Sequence, residues 1–443
     1  MATDFTKRKN YWAFGTKGWG VAGIGILFYF FWQGPMYSAS NFWFGALEEM
    51  FGWSVPSMSL PITLAGILSL FGVILWGGLA KKLGAKRVII ICLLCAAASN
   101  MIFVGFMTLW SFGLSIILFF FFSMGYSVIG VGQLGADWFP HTKGVYMGIV
   151  TVGSTINMAS INMVLAFAVP AFGIGPSLAA YSIIQVIGAV IVGVFIKNTP
   201  EEAGAFPDND KSITREKLME EFKAMEEYKK RSPWTVKVLL KNATMWKIGV
   251  AWGLAMMCGV GIIQQLVQVL VSYGHPFMLG ITFLTLGWPI GVFGHILVGV
   301  IDLRLGTRNT SIIMAIILLA SPAALLLAGA TMGGAVIAAG LLMFGISGVA
   351  NVTMSMTTTT FGRKDFENAW PVISTIFQVI SNAGVLIIAV LASLITYQFS
   401  MGVVVGILVV VIIVMLLTPK GQITATGAQV EPETDPEPEP AAE

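Results

Sequence analysis

The sequence is short of charge, cysteine and histidine, and each shortage argues against a class of function. Only 11% of its 443 residues are charged, against about 25% in an ordinary water-soluble domain. With 56% of the chain apolar, a globule facing water on every side is excluded. Three cysteines without a CxxC pair argue against a disulfide framework or a cysteine-built metal site. Three histidines argue against a histidine-rich one, and a net charge of +3 is too small to point to nucleic acid. The chain has no phosphate-binding glycine loop with a lysine, so it is not expected to hydrolyse ATP. No nucleophile–base pair sits at one depth, so neither an enzyme nor a cofactor is expected. No cleavable signal peptide is visible, because a polar, basic stretch runs directly into a long apolar span.

What remains is apolar sequence in long runs. A helix crosses a bilayer core of roughly 30 Å with about 20 apolar residues. Windows of that length give spans at 18–38, 56–79, 88–108, 112–135, 144–170 and 175–196, then at 245–273, 277–301, 310–329, 332–358, 368–395 and 398–417. A barrel would need short alternating strands instead of continuous runs. The sequence therefore predicts an all-α membrane protein of twelve transmembrane helices in two pseudo-symmetric bundles of six. The expected domains are an N-terminus (1–17), the first bundle (18–196), a linker with an amphipathic helix (197–243), the second bundle (244–418) and a disordered acidic tail (419–443). Leu218, Phe222 and Met225 would form the apolar face of the linker helix, resting on the membrane surface.

Basic residues predict the orientation, since cytoplasmic loops retain Lys and Arg. All 25 fall before span 1, between spans 2 and 3 or 4 and 5, from Lys197 to Lys247, or after spans 8, 10 and 12. The opposite loops carry no Lys or Arg, only Glu48, Glu49 and His275. Both termini are expected in the cytoplasm.

Ionisable groups deep in a membrane are costly and usually functional, and here they are almost absent. His295 lies seven residues before Asp302, about 10 Å along a helix, and is a candidate for proton coupling; the alternative is a neutral histidine bonded to a neighbouring carbonyl. The polar uncharged candidates are Tyr29, Trp32 and Gln33 on span 1, Tyr126 and Gln133 on span 4, and Asn157 on span 5. The second half adds Gln264 and Gln268, Trp288, Asn351, and Gln378 with Asn382. Several of these pairs are spaced i, i+4 and so share a helix face. Such side chains either line a pocket or hydrogen-bond helices together.

The halves echo each other. Gly77-Gly-Leu-Ala-Lys-Lys-Leu-Gly84 closes span 2, and Gly299-Val-Ile-Asp-Leu-Arg-Leu-Gly306 closes span 8, 222 residues later. The same turn in the same place of each half indicates an internal duplication. These two loops and the long linker resemble the major facilitator superfamily. Within it, Asp137-Trp-Phe-Pro-His-Thr-Lys-Gly-Val-Tyr-Met-Gly-Ile-Val150 resembles the oxalate/formate antiporter and monocarboxylate-transporter branch, and Asn198-Thr-Pro-Glu-Glu-Ala-Gly-Ala-Phe-Pro-Asp208 is similar to its bacterial members. There are departures. The acid position of the first loop is Lys81, Asp302 is displaced by one residue, and span 5 begins Ser154-Thr-Ile-Asn-Met-Ala-Ser160 where the branch is glycine-rich. Spans 8 and 11 lack the internal cations of oxalate carriers, which disfavours a dicarboxylate.

The resemblance implies a major facilitator fold, a central cavity lined mainly by spans 1, 4, 7 and 10 with help from 5, 8 and 11, and gating loops carrying Lys81, Lys82, Arg87, Asp137, Asp302, Arg304 and Arg308. It implies a secondary transporter working by alternating access on a small organic monoanion, as proton symport or anion exchange, in a bacterial plasma membrane. A bulkier bile-acid-like amphipathic acid, or a betaine held by Tyr29 and Trp32 through cation–π contact, are the alternatives. The expected partners are the substrate, the lipid bilayer and, if coupled, protons, with no nucleic acid and a monomeric state.

Overall fold

The computed structural model describes residues 14–213, 215–362 and 365–425. Lys7, Arg8 and Lys9, the pair Arg363 and Lys364, and the acidic tail beyond 425 lie outside the described residues. Eleven helices among the described residues are each long and apolar enough to cross a membrane. They are α2 (Val55–Leu83), α3 (Ala85–Phe106), α4 (Leu109–Trp138), α5 (Lys143–Phe172), α6 (Ile174–Phe195), α7 (Ala243–Ile263), α8 (Phe277–Leu305), α9 (Thr307–Ala328), α10 (Met332–Phe361), α11 (Phe366–Leu394) and α12 (Tyr397–Leu416). The twelfth, α1, is broken into Gly15–Phe31, Gly34–Tyr37 and Ser40–Phe51. It therefore runs well past residue 38, where hydropathy alone ends the span. Hydropathy also reads α7 through to 273, but that helix stops at Ile263 and resumes as Leu266–Ser272.

Local chemistry sets the ends. Ser54, Thr108, Asn242, Thr331 and Thr396 each accept a backbone N–H at the start of a helix, satisfying one of the donors a helix leaves open there. The connections at 329–331 and 395–396 are short because Thr331 and Thr396 begin the next helix at once, and single glycines, Gly84, Gly173 and Gly306, make the tightest ones.

The packing is two-fold throughout. In the first bundle α3 packs on α4 and α6, α2 on α4, and α1 on α5. In the second, α9 packs on α10 and α12, α8 on α10, and α7 on α11. Every pairing maps onto its counterpart six helices later. The bundles meet along α2 with α11, along its mate α8 with α5, and where the ends of α1 and α7 touch. Outward faces carry bare apolar side chains, such as Leu327 at 88% and Phe195 at 73% exposure. That is the surface a hydrocarbon solvent calls for and water does not.

The linker has two anchorages. Asp208 accepts from the backbone N–H groups of His141 and Thr142 at 2.9 and 3.1 Å, and so holds the α4–α5 turn. Ser232 Oγ donates to Asp365 at the start of α11 (2.5 Å), and Trp234 packs edge-on against Phe361 (4.8 Å). A helix, Arg215–Arg231, lies between them. Of its expected apolar face only the Leu218 side chain falls among the described residues, and it is half-buried.

Candidate functional site: a cavity between the bundles

The two breaks in the helices define the site. A backbone break inside a membrane frees N–H and C=O groups that neighbouring side chains must satisfy. In α1, the Phe31 carbonyl accepts from Tyr126 Oη (2.7 Å), the Pro35 carbonyl from Trp43 Nε1 (3.0 Å) and the Ser38 carbonyl from Asn162 Nδ2 (2.9 Å). Beside them the α7 break carries Gln264, whose Oε1 accepts from Ser40 Oγ at 2.9 Å, and Gln265, whose Nε2 donates to the Val385 carbonyl of α11 at 2.8 Å.

Beneath this seam lies a cavity of about 130 Å³. Its walls come from both bundles: Ser38 and Asn41 of α1, Thr155, Met158 and Asn162 of α5, Ile263 and Gln264 at the α7 break, Leu284, Trp288 and His295 of α8, and Met343, Ile346 and Ser347 of α10. Most of the polar wall is already engaged. Asn162 ties residues 38 and 42 together, Asn41 bonds to α7, and Ser347 donates to the Phe344 carbonyl at 2.7 Å. Gln264 also pairs with Tyr37, and Trp288 is 45% exposed. His295 is the one ionisable residue in the wall. Its Nδ1 faces Asn351 Nδ2 at 3.3 Å. With the amide nitrogen turned to Nδ1, the contact is compatible with the tautomer that carries its proton on Nε2.

Among the candidates, then, Gln264, Trp288 and His295 line this cavity, and Asn351 holds the histidine. The others lie elsewhere. Tyr126 is wholly buried on the Phe31 carbonyl. Asn157 is wholly buried inside the first bundle, with neither amide atom partnered. Tyr29 and Trp32 pack edge-to-face at 5.8 Å, Gln33 accepts from Ser38 Oγ at 3.1 Å, and Gln133 is half-buried on α4. Gln268 donates to the Asn41 carbonyl at 2.9 Å and faces a separate hollow nearer Glu48. Gln378 is exposed, and Asn382 donates to its carbonyl at 2.8 Å while packing against Gly66 of α2, where a Cβ would overlap it.

The loop charges behave differently in the two halves. Arg308 donates to the Leu416 carbonyl, closing the end of α12, and Asp302 accepts from Ser355 Oγ of α10. Asp137 is half-buried in the last turn of α4. Lys81, Lys82, Arg87 and Arg304 are exposed. Asn41, Asn162 and Ser38 were not among the sequence candidates; a span ending at 38 leaves Asn41 outside the membrane, and nothing in the sequence singles out Ser38 or Asn162 within theirs. The signal available was Gly34-Pro35, a break-prone pair, with Gly34 at a φ of 67°.

Two pseudo-symmetric six-helix bundles around a shared cavity have the architecture of a secondary transporter, not of an enzyme. The profile of the Major Facilitator Superfamily matches residues 21–368, and the chain belongs to that superfamily. No curated protein matches its sequence. Among solved structures, a bacterial homolog of the human lysosomal transporter Spinster, inward-facing and unoccupied, superposes with a TM-score of 0.69 at 13% identity, over 93% of this chain and 97% of that one. The nucleoside transporter NupG gives 0.67 at 14% identity, over 91% and 99%. At such identities the likeness is one of fold.

Proposed function

We propose that this chain carries a small organic monoanion, of the monocarboxylate type, across the membrane by alternating access. The observation that carries the reading is the solitary histidine in an otherwise uncharged wall. With its proton on Nε2, His295 offers that N–H to a carboxylate whether or not the ring is also protonated at Nδ1, and a single such donor suits a single anionic group. The apolar remainder of the wall, from Trp288, Met158, Met343 and Ile346, suits the body of such an acid. The same lining favours a second reading, a bulkier amphipathic acid. Anion exchange requires no further titratable group, whereas proton symport would use His295 itself. The charge pattern of the loops supports cytoplasmic termini, and with the seam closing the acidic end, a cavity that faces the cytoplasm in this conformation; the membrane we assign is the plasma membrane.

Thermal stabilisation of the purified protein by a panel of monocarboxylates, dicarboxylates, bile acids and betaines tests this, because a ligand of the folded state raises the melting temperature. Monocarboxylates are expected to stabilise, and His295→Gln to weaken that binding at least tenfold, about 1.4 kcal/mol, without lowering the melting point of the free protein. Stabilisation by betaines alone would overturn the anion reading.

A further inference from the structure

We propose that Asn41 holds the gate at the acidic end of the cavity by standing in for a helical hydrogen bond of α7, so that opening the gate and straightening α7 are one event. This rests on the transporter assignment but not on the identity of the substrate.

In an unbroken α-helix the carbonyl of residue i accepts from the N–H of residue i+4. Among the pairs that the break in α7 interrupts are the Ile263 carbonyl and the Val267 N–H, which do not bond each other. The Asn41 side chain, 1% exposed, occupies the gap: its Nδ2 donates to the Ile263 carbonyl at 2.8 Å, and its Oδ1 accepts from the Val267 N–H at 3.0 Å. One primary amide from the opposite bundle replaces one peptide-to-peptide bond with two. Gln268 Nε2 then donates back to the Asn41 carbonyl, and Ser40 Oγ to Gln264. The hydrogen bonds that join α1 to α7 all lie in this seam, at the acidic end of the cavity.

Separation of the bundles at this end withdraws Asn41. Buried N–H and C=O groups left alone in a membrane are strongly disfavoured, but these two need not be, because they are each other's natural partners. Once the amide leaves, the Ile263–Val267 bond can close and α7 become continuous. The break is thus the mark of the closed gate, and a straight α7 the mark of the open one. Asn41 is a positioning residue that sets the balance between them.

The test uses spin labels on the full chain in lipid nanodiscs, with Cys92, Cys95 and Cys258 replaced by alanine. One pair, Phe51→Cys with Met332→Cys, reads the gate. A second, Trp246→Cys with Val271→Cys, reads the length of α7, which approaches about 37 Å when straight. Asn41→Leu, which keeps the bulk and loses both hydrogen bonds, is expected to raise the open-gate fraction at least tenfold, with the long α7 population rising in step. Should that variant fold poorly, Asn41→Asp keeps the acceptor for Val267, loses the donor to Ile263, and is expected to shift both distances the same way. Unchanged gate distances in a folded variant, or a gate that opens while α7 keeps its length, would overturn the proposal.

Discussion

Polar side chains inside an apolar bundle have two employments, and their partners separate the two. Tyr126 Oη reaches the carbonyl of Phe31 at the point where α1 breaks, and the residue is wholly buried. Its hydroxyl is therefore structural. Tyr126→Phe is expected to leave that carbonyl unsatisfied, at a cost of about 1–3 kcal/mol. The readout is a lower melting temperature with unchanged ligand affinity; a loss of affinity at constant stability would return Tyr126 to the cavity wall. The sequence displayed the residue types and their depth, so His295, Trp288 and Gln264 were legible as candidates. It could not display which polar groups were already occupied. The partner of Tyr126 is a backbone carbonyl 95 residues away, freed by a break that hydropathy windows smooth over. Asn41 was hidden for the same reason.

Elements were more legible than residues, because hydropathy reports a helix over many side chains at once. The turns that join them rest on single residues. Gly84 and Gly306, the last glycines of the duplicated loops, adopt nearly the same conformation, with φ and ψ of 85° and 154° in one and 77° and 154° in the other. This region is open essentially to glycine alone. The repeat of sequence is thus a repeat of backbone geometry, turning α2 into α3 and α8 into α9 with no intervening loop. At Gly306 a Cβ would meet nothing within 4 Å, so a substitution there isolates the backbone term from any steric clash. Gly306→Ala is expected to destabilise by about 1–3 kcal/mol, seen as a lowered melting temperature. An unchanged transition would show that the turn tolerates a side chain and that its glycine has another cause. The breaks within α1 and α7 mark the limit of such reading. Gly34-Pro35 signals one of them, whereas Ile263-Gln264-Gln265 contains no residue that a helix rejects.

At the scale of the whole molecule, two bundles joined by hydrogen bonds at the acidic end of the cavity need something to limit their separation at the other. The linker is placed for that. It holds the first bundle through Asp208 at the α4–α5 turn and the second through Ser232, Trp234 and Asp365 at the start of α11, and these two sites are equivalent under the internal two-fold. Between them the helix Arg215–Arg231 spans about 25 Å along its axis. Its exposed face carries charge, with Glu226 and Lys230 paired at 3.1 Å. Asp365 is 8% exposed and accepts from both Ser232 (2.5 Å) and Tyr228 (3.4 Å). Asp365→Ala removes both acceptors and should release one end of the linker while leaving the other seated on Asp208. Hydrogen exchange is the direct measurement: amides of residues 228–234 are expected to exchange faster, and those of 139–142 to keep their protection. The rate of uptake should then change more than the substrate affinity, since the cavity wall is untouched and only the restraint on the bundles is altered. Equal protection of 228–234 in the variant and the parent would mean that packing of Trp234 against Phe361, and not the carboxylate, holds the linker in place.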